Sequence, residues 1–195
     1  MVLLAGCTSG PSTAAGPSTT TSTPAAATPT PTPTPTPTVE WRDAESLIIQ
    51  PGPDTPATLP HGPSWVTSGG HFACSIYDDW SKHDATTGSD SPAIYYGCRI
   101  DDQAATFTYP PFDDPGRGQI GGCPSGFAAY AGAAVTPLCS SGQVFMSETD
   151  HSNVLQPGQG VRFAGVTCVA TGVDAMRCTD GPHGFTASLE TFTLS

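Results

Sequence analysis

The stretch GVTCVATGVDAMRC, Gly165 to Cys178, decides the fold of this chain. Two runs of strand-forming residues flank a Gly-Val-Asp centre, and a cysteine closes each run. If Cys168 and Cys178 face each other across a hairpin, Val169 falls opposite Arg177 and Ala170 opposite Met176. The loop is then TGVDA, with Gly172 free to take a positive φ.

Reading outward, the same grammar repeats. GHFACSIY (Gly70–Tyr77) and AIYYGCRI (Ala93–Ile100) are β-rich and carry one cysteine each. QVFMS, GVRFAGVTCVA and FTASLETFTL continue it, parted by Gly, Pro, Asp and Ser clusters. Helical periodicity is missing from every long window; WRDAESLIIQ offers one helical turn. The pattern predicts a mainly β domain, a small disulfide-stapled sandwich or open barrel of short antiparallel strands.

Seven cysteines are present. Setting aside Cys7 leaves an even set: Cys74, Cys98, Cys123, Cys139, Cys168 and Cys178. In an exported domain such a set reads as disulfides, with about 15 connectivities open to six cysteines. The sequential pairing Cys74–Cys98, Cys123–Cys139, Cys168–Cys178 is favoured here because each pair sits on strands expected to be neighbours. Each bridge is worth roughly 3 kcal/mol by loop closure, a large share of the about 5–15 kcal/mol that stabilises a domain. Bridged thiols are spent for catalysis or metal binding.

The odd cysteine lies in Leu4-Ala5-Gly6-Cys7, an aliphatic residue and two small ones before a thiol. This resembles a bacterial lipobox, in which small side chains admit the signal peptidase and the thiol accepts diacylglycerol. Residues 1–7 then read as the remnant of a signal peptide whose charged start and apolar region lie upstream. Residues 8–40 form a Ser/Thr/Pro-rich tether, with TPTPTPTPTPT from Thr28 to Thr38. Apolar content is too low to offset chain entropy, so the tether is expected to be disordered, spanning about 100 Å if extended. A Thr/Pro stalk of this kind is similar to O-glycosylated stalks. Residues 41–66 read as an irregular lead-in and 67–195 as the disulfide-rich β domain. Acyl chains on Cys7 would hold the protein on the outer face of the cell membrane.

Of 195 residues, 17 are acidic and 6 are Lys or Arg, a formal charge of −11. Phosphate contacts need clustered cations, so nucleic acid is excluded as a partner. No run of about 18 apolar residues occurs, so no spanning helix is expected.

SGGHFACSI, GCRI, the Cys123/Cys139 pair and GVTCVATGVDAMRCTDGPHGFTASLETFTL together resemble a family of exported actinobacterial, mycobacterial-type lipoprotein domains of unknown function. The likeness runs from about Thr67 to Ser195, with six paired cysteines and a Gly-Val-Thr-Cys to His-Gly-Phe ending. Pro182 stands where that family tends to have Gly, and the first cysteine loop is long. The resemblance implies an exported envelope protein and brings no activity with it.

DGPHGF, Asp180 to Phe185, is the most pointed local motif. In an enzyme, Asp180 would orient His183 and Ser188 or a distant serine would attack. No Gly-x-Ser-x-Gly elbow accompanies it. The structural alternative has His183 hydrogen-bonding backbone within a turn and Phe185 entering the core. His61, His71, His83 and His151 lack metal-ligand spacing. The pairs Asp78-Asp79, Asp101-Asp102 and Asp113-Asp114 lack calcium-loop spacing and read as solvated loop acids. Glu148 and Glu190 are glycosidase candidates by elimination only. Trp65, Trp80, Tyr95, Tyr96, Tyr109 and Phe112 serve either a binding face or the core. No phosphate loop or dinucleotide fingerprint calls for a cofactor.

These readings converge on a lipid-anchored, extracytoplasmic, non-catalytic β module. It binds an envelope protein, glycan or lipid, without cofactor or metal. The alternative is a secreted hydrolase using His183.

Overall fold

Side chains alternate between the two faces along each central strand, and two sheets result; in the N-terminal sheet Tyr77 and Ala128, on the second face, are buried as well. The computed structural model of the chain describes residues 38–49, 61–79, 93–101, 103–109, 125–139, 144–148 and 150–195. Its strands are β1 (Glu40–Trp41), β2 (Ser64–Thr67), β3 (Phe72–Tyr77), β4 (Tyr95–Ile100), β5 (Gly126–Tyr130), β6 (Thr136–Pro137), β7 (Val154–Leu155), β8 (Gln159–Phe163), β9 (Val166–Gly172), β10 (Ala175–Asp180), β11 (His183–Ser188) and β12 (Phe192–Leu194). One sheet runs β6-β5-β4-β3-β2-β7, the other β1-β8-β9-β10-β11-β12. Neither closes into a barrel, and one apolar core takes side chains from both, from Phe72, Ile76 and Phe127 to Val166, Met176 and Phe185. The fold is a mainly β sandwich, as the sequence predicts. The strands are not all antiparallel, however: β1 runs parallel to β8, and β7 parallel to β2.

The two sheets follow one plan. Strands β2 to β6 form an antiparallel meander, and so do β8 to β12. Across the first, one row of partners reads Trp65, Cys74, Cys98, Phe127, Pro137. Across the second, the matching row reads Val161, Cys168, Cys178, Phe185, Leu194. One row further along, Ile76, Tyr96 and Ala129 correspond to Ala170, Met176 and Ala187. Each meander is flanked by a parallel strand that precedes the other meander in the chain, so the two halves exchange lead strands.

The cysteine pairings at the centre agree with the sequential assignment. Cys74 and Cys98 are bridged, as are Cys168 and Cys178, with Cα atoms 4.0 and 4.1 Å apart. These are directly opposed cross-strand positions of the closely spaced kind. All four cysteines are fully buried. Cys139 is also disulfide-bonded, while its expected partner Cys123, like Cys7, lies outside the described residues.

Val169 opposite Arg177 and Ala170 opposite Met176 hold as read. The loop does not. Gly172 pairs with Ala175 inside the ladder, the turn is only Val173-Asp174, and the extra residue Thr171 makes a bulge. Gly172 takes no positive φ, and the bulge adds local twist to the hairpin instead. The described parts of the lead-in, 41–49 and 61–66, contain regular elements. Trp41 belongs to β1, Glu45–Leu47 forms a single 3₁₀ turn, and Ser64–Trp65-Val66 lies in β2. The ordered domain therefore begins before residue 67, and Glu40 leaves the tether for β1. Arg162 stacks its guanidinium 3.6 Å from the centre of the Trp41 ring, which holds β1 against the sheet.

Candidate functional site

The loop-bearing half of the sandwich carries a cleft. In the C-terminal meander three of the four connections are two-residue turns: Ala164-Gly165, Val173-Asp174 and Gly181-Pro182. In the N-terminal meander the chain between β3 and β4, and between β4 and β5, is far longer. Loops on a rigid sheet are where binding residues collect.

The cleft has a volume of about 330 Å³ and is lined by Gly70, His71, Ala73, Arg99, Ile100, Asp101, Ser125, Glu148 and His151. Ala73 and Arg99 are cross-strand partners on β3 and β4. His71 and Asp101 lie two residues further along on the same outward face, because strand side chains alternate. Ser125 immediately precedes β5, its carbonyl accepting from the Ile100 N–H at 2.8 Å. Glu148 and His151 come from the connection between β6 and β7.

One ion pair and one histidine–carboxylate contact organise these groups. Arg99 Nη1 donates to Glu148 Oε2 at 2.7 Å, and the other Glu148 oxygen accepts the Val144 and Phe145 N–H groups, each at 2.7 Å. Glu148 thus closes its own 3₁₀ turn while fixing the guanidinium. His71 Nδ1 lies 3.2 Å from Asp101 Oδ2. The loop bearing His71 is braced from the other sheet: Asp174 Oδ1 accepts from Thr67 Oγ1 at 2.9 Å and from the His71 N–H at 3.2 Å. Gly69 N–H donates to the Val173 carbonyl beside it. Ser125 is 2% exposed, and its Oγ has no hydrogen-bond partner among the described residues.

The DGPHGF motif is built differently from its expectation. His183 is the first residue of β11, opposite Asp180 at the end of β10, and not a turn residue. The reversal is made by Gly181-Pro182, with Gly181 at φ 57°. A positive φ at the first of two loop residues suits this hairpin, so Gly181 is not extended and Gly184 does not reverse the chain. Among the described residues the His183 imidazole has no hydrogen bond, so it does not staple the turn. The Asp180 carboxylate accepts from the Gly132 N–H instead of orienting His183. Ser188 Oγ is engaged within its own turn, accepting from the Glu190 and Thr191 N–H groups at 3.2 and 3.1 Å. Phe185 does enter the core.

The remaining candidates separate cleanly. His61 pairs with Asp78 at 3.1 Å, away from the cleft. Trp65 and Tyr96 are core residues, Tyr95 and Tyr109 are half-buried, and Glu190 is exposed. His83, Trp80, Asp102, Phe112, Asp113 and Asp114 lie outside the described residues. No cluster of three or more metal-ligating side chains occurs among the described residues. Among these residues, too, no helix is long and apolar enough to cross a membrane. Sequence reading missed the cleft because its members come from four separate segments. The available signal was the period-2 spacing in Arg99-Ile100-Asp101 and His71-Phe72-Ala73, which puts each flanking pair on one face.

No family model matches the chain, and no match was found among curated proteins or solved structures.

Proposed function

We propose that this protein is a non-catalytic binding module of the cell envelope, held on the outer face of the membrane by lipid on Cys7 and carried away from it by the Thr/Pro tether. The reading keeps the resemblance to exported actinobacterial lipoprotein domains and takes an envelope component as the partner. The observation that carries it is the cleft itself. Its two carboxylates are engaged in fixed pairs with Arg99 and His71, an arrangement suited to holding a ligand. A hydrolase at His183 would need a carboxylate behind the imidazole and a hydroxyl in front of it. Asp180 and Ser188 are committed elsewhere.

Anchoring is tested by fractionation. Expressed with a full signal segment ahead of Leu4, the protein is expected in the membrane fraction and Cys7→Ser in the aqueous one. Partition of Cys7→Ser with membranes would refute the anchor.

A further inference from the structure

We propose that the outward face of the C-terminal sheet, β1-β8-β9-β10-β11-β12, is a docking surface for an anionic bilayer. This face is separate from the cleft, and anchoring at Cys7 contributes only the nearness of the membrane.

The two outer faces of the sandwich differ. On the N-terminal sheet, Leu138 and Phe145 pack with Tyr77 and Ala128 in a second buried cluster. The outer face of the C-terminal sheet has no such cluster among the described residues. Alternation turns Arg162, Thr167, Arg177, Thr179 and Thr186 outward, while Val161, Cys168, Cys178 and Phe185 face the core. One outward row crosses all six strands: Trp41, Gly160, Val169, Arg177, Thr186, Thr193. Arg162, Arg177, Thr186 and Thr193 are exposed, and Trp41 is 40% exposed. No outward strand position of this sheet carries a carboxylate; Glu40 and Asp180 fall on the alternate positions. Among the described residues, neither Arg162 nor Arg177 has an ion pair.

Charge complementarity selects the partner. Of the 17 acidic residues, 14 precede β8. Two of the other three, Asp174 and Asp180, accept hydrogen bonds from Thr67 and from the Gly132 N–H. The opposite sheet lies about 10 Å behind this face. At physiological ionic strength charges are screened beyond roughly 8 Å. A negative surface approaching from outside therefore meets Arg162 and Arg177 ahead of the net charge of the chain. A bilayer extends in two dimensions, so it engages both arginines, the threonine hydroxyls and Trp41 together. Hydroxyl and guanidinium groups donate to headgroup phosphates, and an indole favours the bilayer interface. Trp41 also marks the edge at which the chain leaves for the tether. From there to Cys7 is about 30 Å as a flexible coil, which keeps the face of an anchored molecule within reach of the headgroups.

The test is co-sedimentation of the full chain carrying Cys7→Ser, which removes the lipid and leaves the face. The vesicles are phosphatidylcholine alone and phosphatidylcholine mixed equally with phosphatidylglycerol. At low salt, binding is expected to the anionic vesicles only, and it falls as salt rises to about 0.15 M. Arg177→Gln weakens it about fivefold, and Thr186→Glu by at least as much. Gln103→Glu places the same added charge on the exposed loop after β4 and leaves binding nearly unchanged. Thermal melts verify that the variants fold. Equal binding to both vesicles, binding to neither, or equal losses in Thr186→Glu and Gln103→Glu overturns the assignment. Soluble polyglutamate that binds the chain as tightly as the vesicles do also overturns it, in favour of a dissolved polyanion. Because the chain tested carries no lipid, a failed anchor at Cys7 leaves every one of these outcomes unchanged.

Discussion

Tyr96 shows what a single residue reveals about the core. Its ring is fully buried, and its hydroxyl has no hydrogen-bond partner among the described residues. Burial, with the nearby Asp180 charge adding to it, pushes the phenol up to about 12. An acid whose folded value is raised binds its proton more tightly in the native state. The associated stability is therefore present below pH 10 and lost as pH rises from 10 towards 12. Two pH units correspond to roughly 2–3 kcal/mol. Tyr96→Phe is expected to equal or exceed the parent in stability at pH 7, because it deletes an unsatisfied polar group. It should also lack this part of the alkaline loss, which urea melts at pH 7, 10 and 11.5 would show. A parallel loss in both proteins would remove the account. At this scale the sequence is a poor guide to chemistry. His183 stands out among turn-forming neighbours, yet its chemical partners are bound elsewhere, and Ser125 has no local signal at all.

At the scale of elements, the two meanders impose the same requirement at the same place. Gly126 precedes Phe127 and Gly184 precedes Phe185, on the strand next to the second cysteine of each bridge. A Cβ on Gly126 would lie 2.0 Å from the Cys98 carbonyl oxygen, and one on Gly184 2.4 Å from that of Cys178. Backbone cannot yield as a flexible side chain can. Gly126→Ala and Gly184→Ala should each cost about 2 kcal/mol or more in denaturant melts. Gly126 loses more, since its φ of 151° also disfavours a side chain. An alanine tolerated at either site contradicts the described packing. The strands themselves were legible, because alternation and cysteine placement are local. The Cys168–Cys178 pairing was legible because only 10 residues separate the two cysteines, although that separation left the turn and its bulge open. The matching plan was hidden because the other bridge spans 24 residues, and inserted loops break the periodicity. The parallel pairings of β1 and β7 were illegible for a related reason: two-residue strands carry no pattern of their own.

For the whole molecule, the division of labour between meanders matters most. The C-terminal one, with its tight turns, supplies part of the core and the Asp174 brace. The N-terminal one lends its loops to the cleft. The formal charge of −11 disfavours polyanionic partners overall, and its concentration ahead of β8 leaves the outward face of the C-terminal sheet open to a negative surface. The function proposed depends on ligand contact at this cleft and not at the DGPHGF hairpin. Amide NMR of the ¹⁵N-labelled full chain, titrated with a soluble extract of the cell envelope, locates that contact directly. Shifts concentrated at residues 70–73, 99–101, 125 and 148–151, with Asp180–Gly184 unmoved, are the predicted result. Shifts centred on Asp180–Gly184, with the cleft silent, would contradict it.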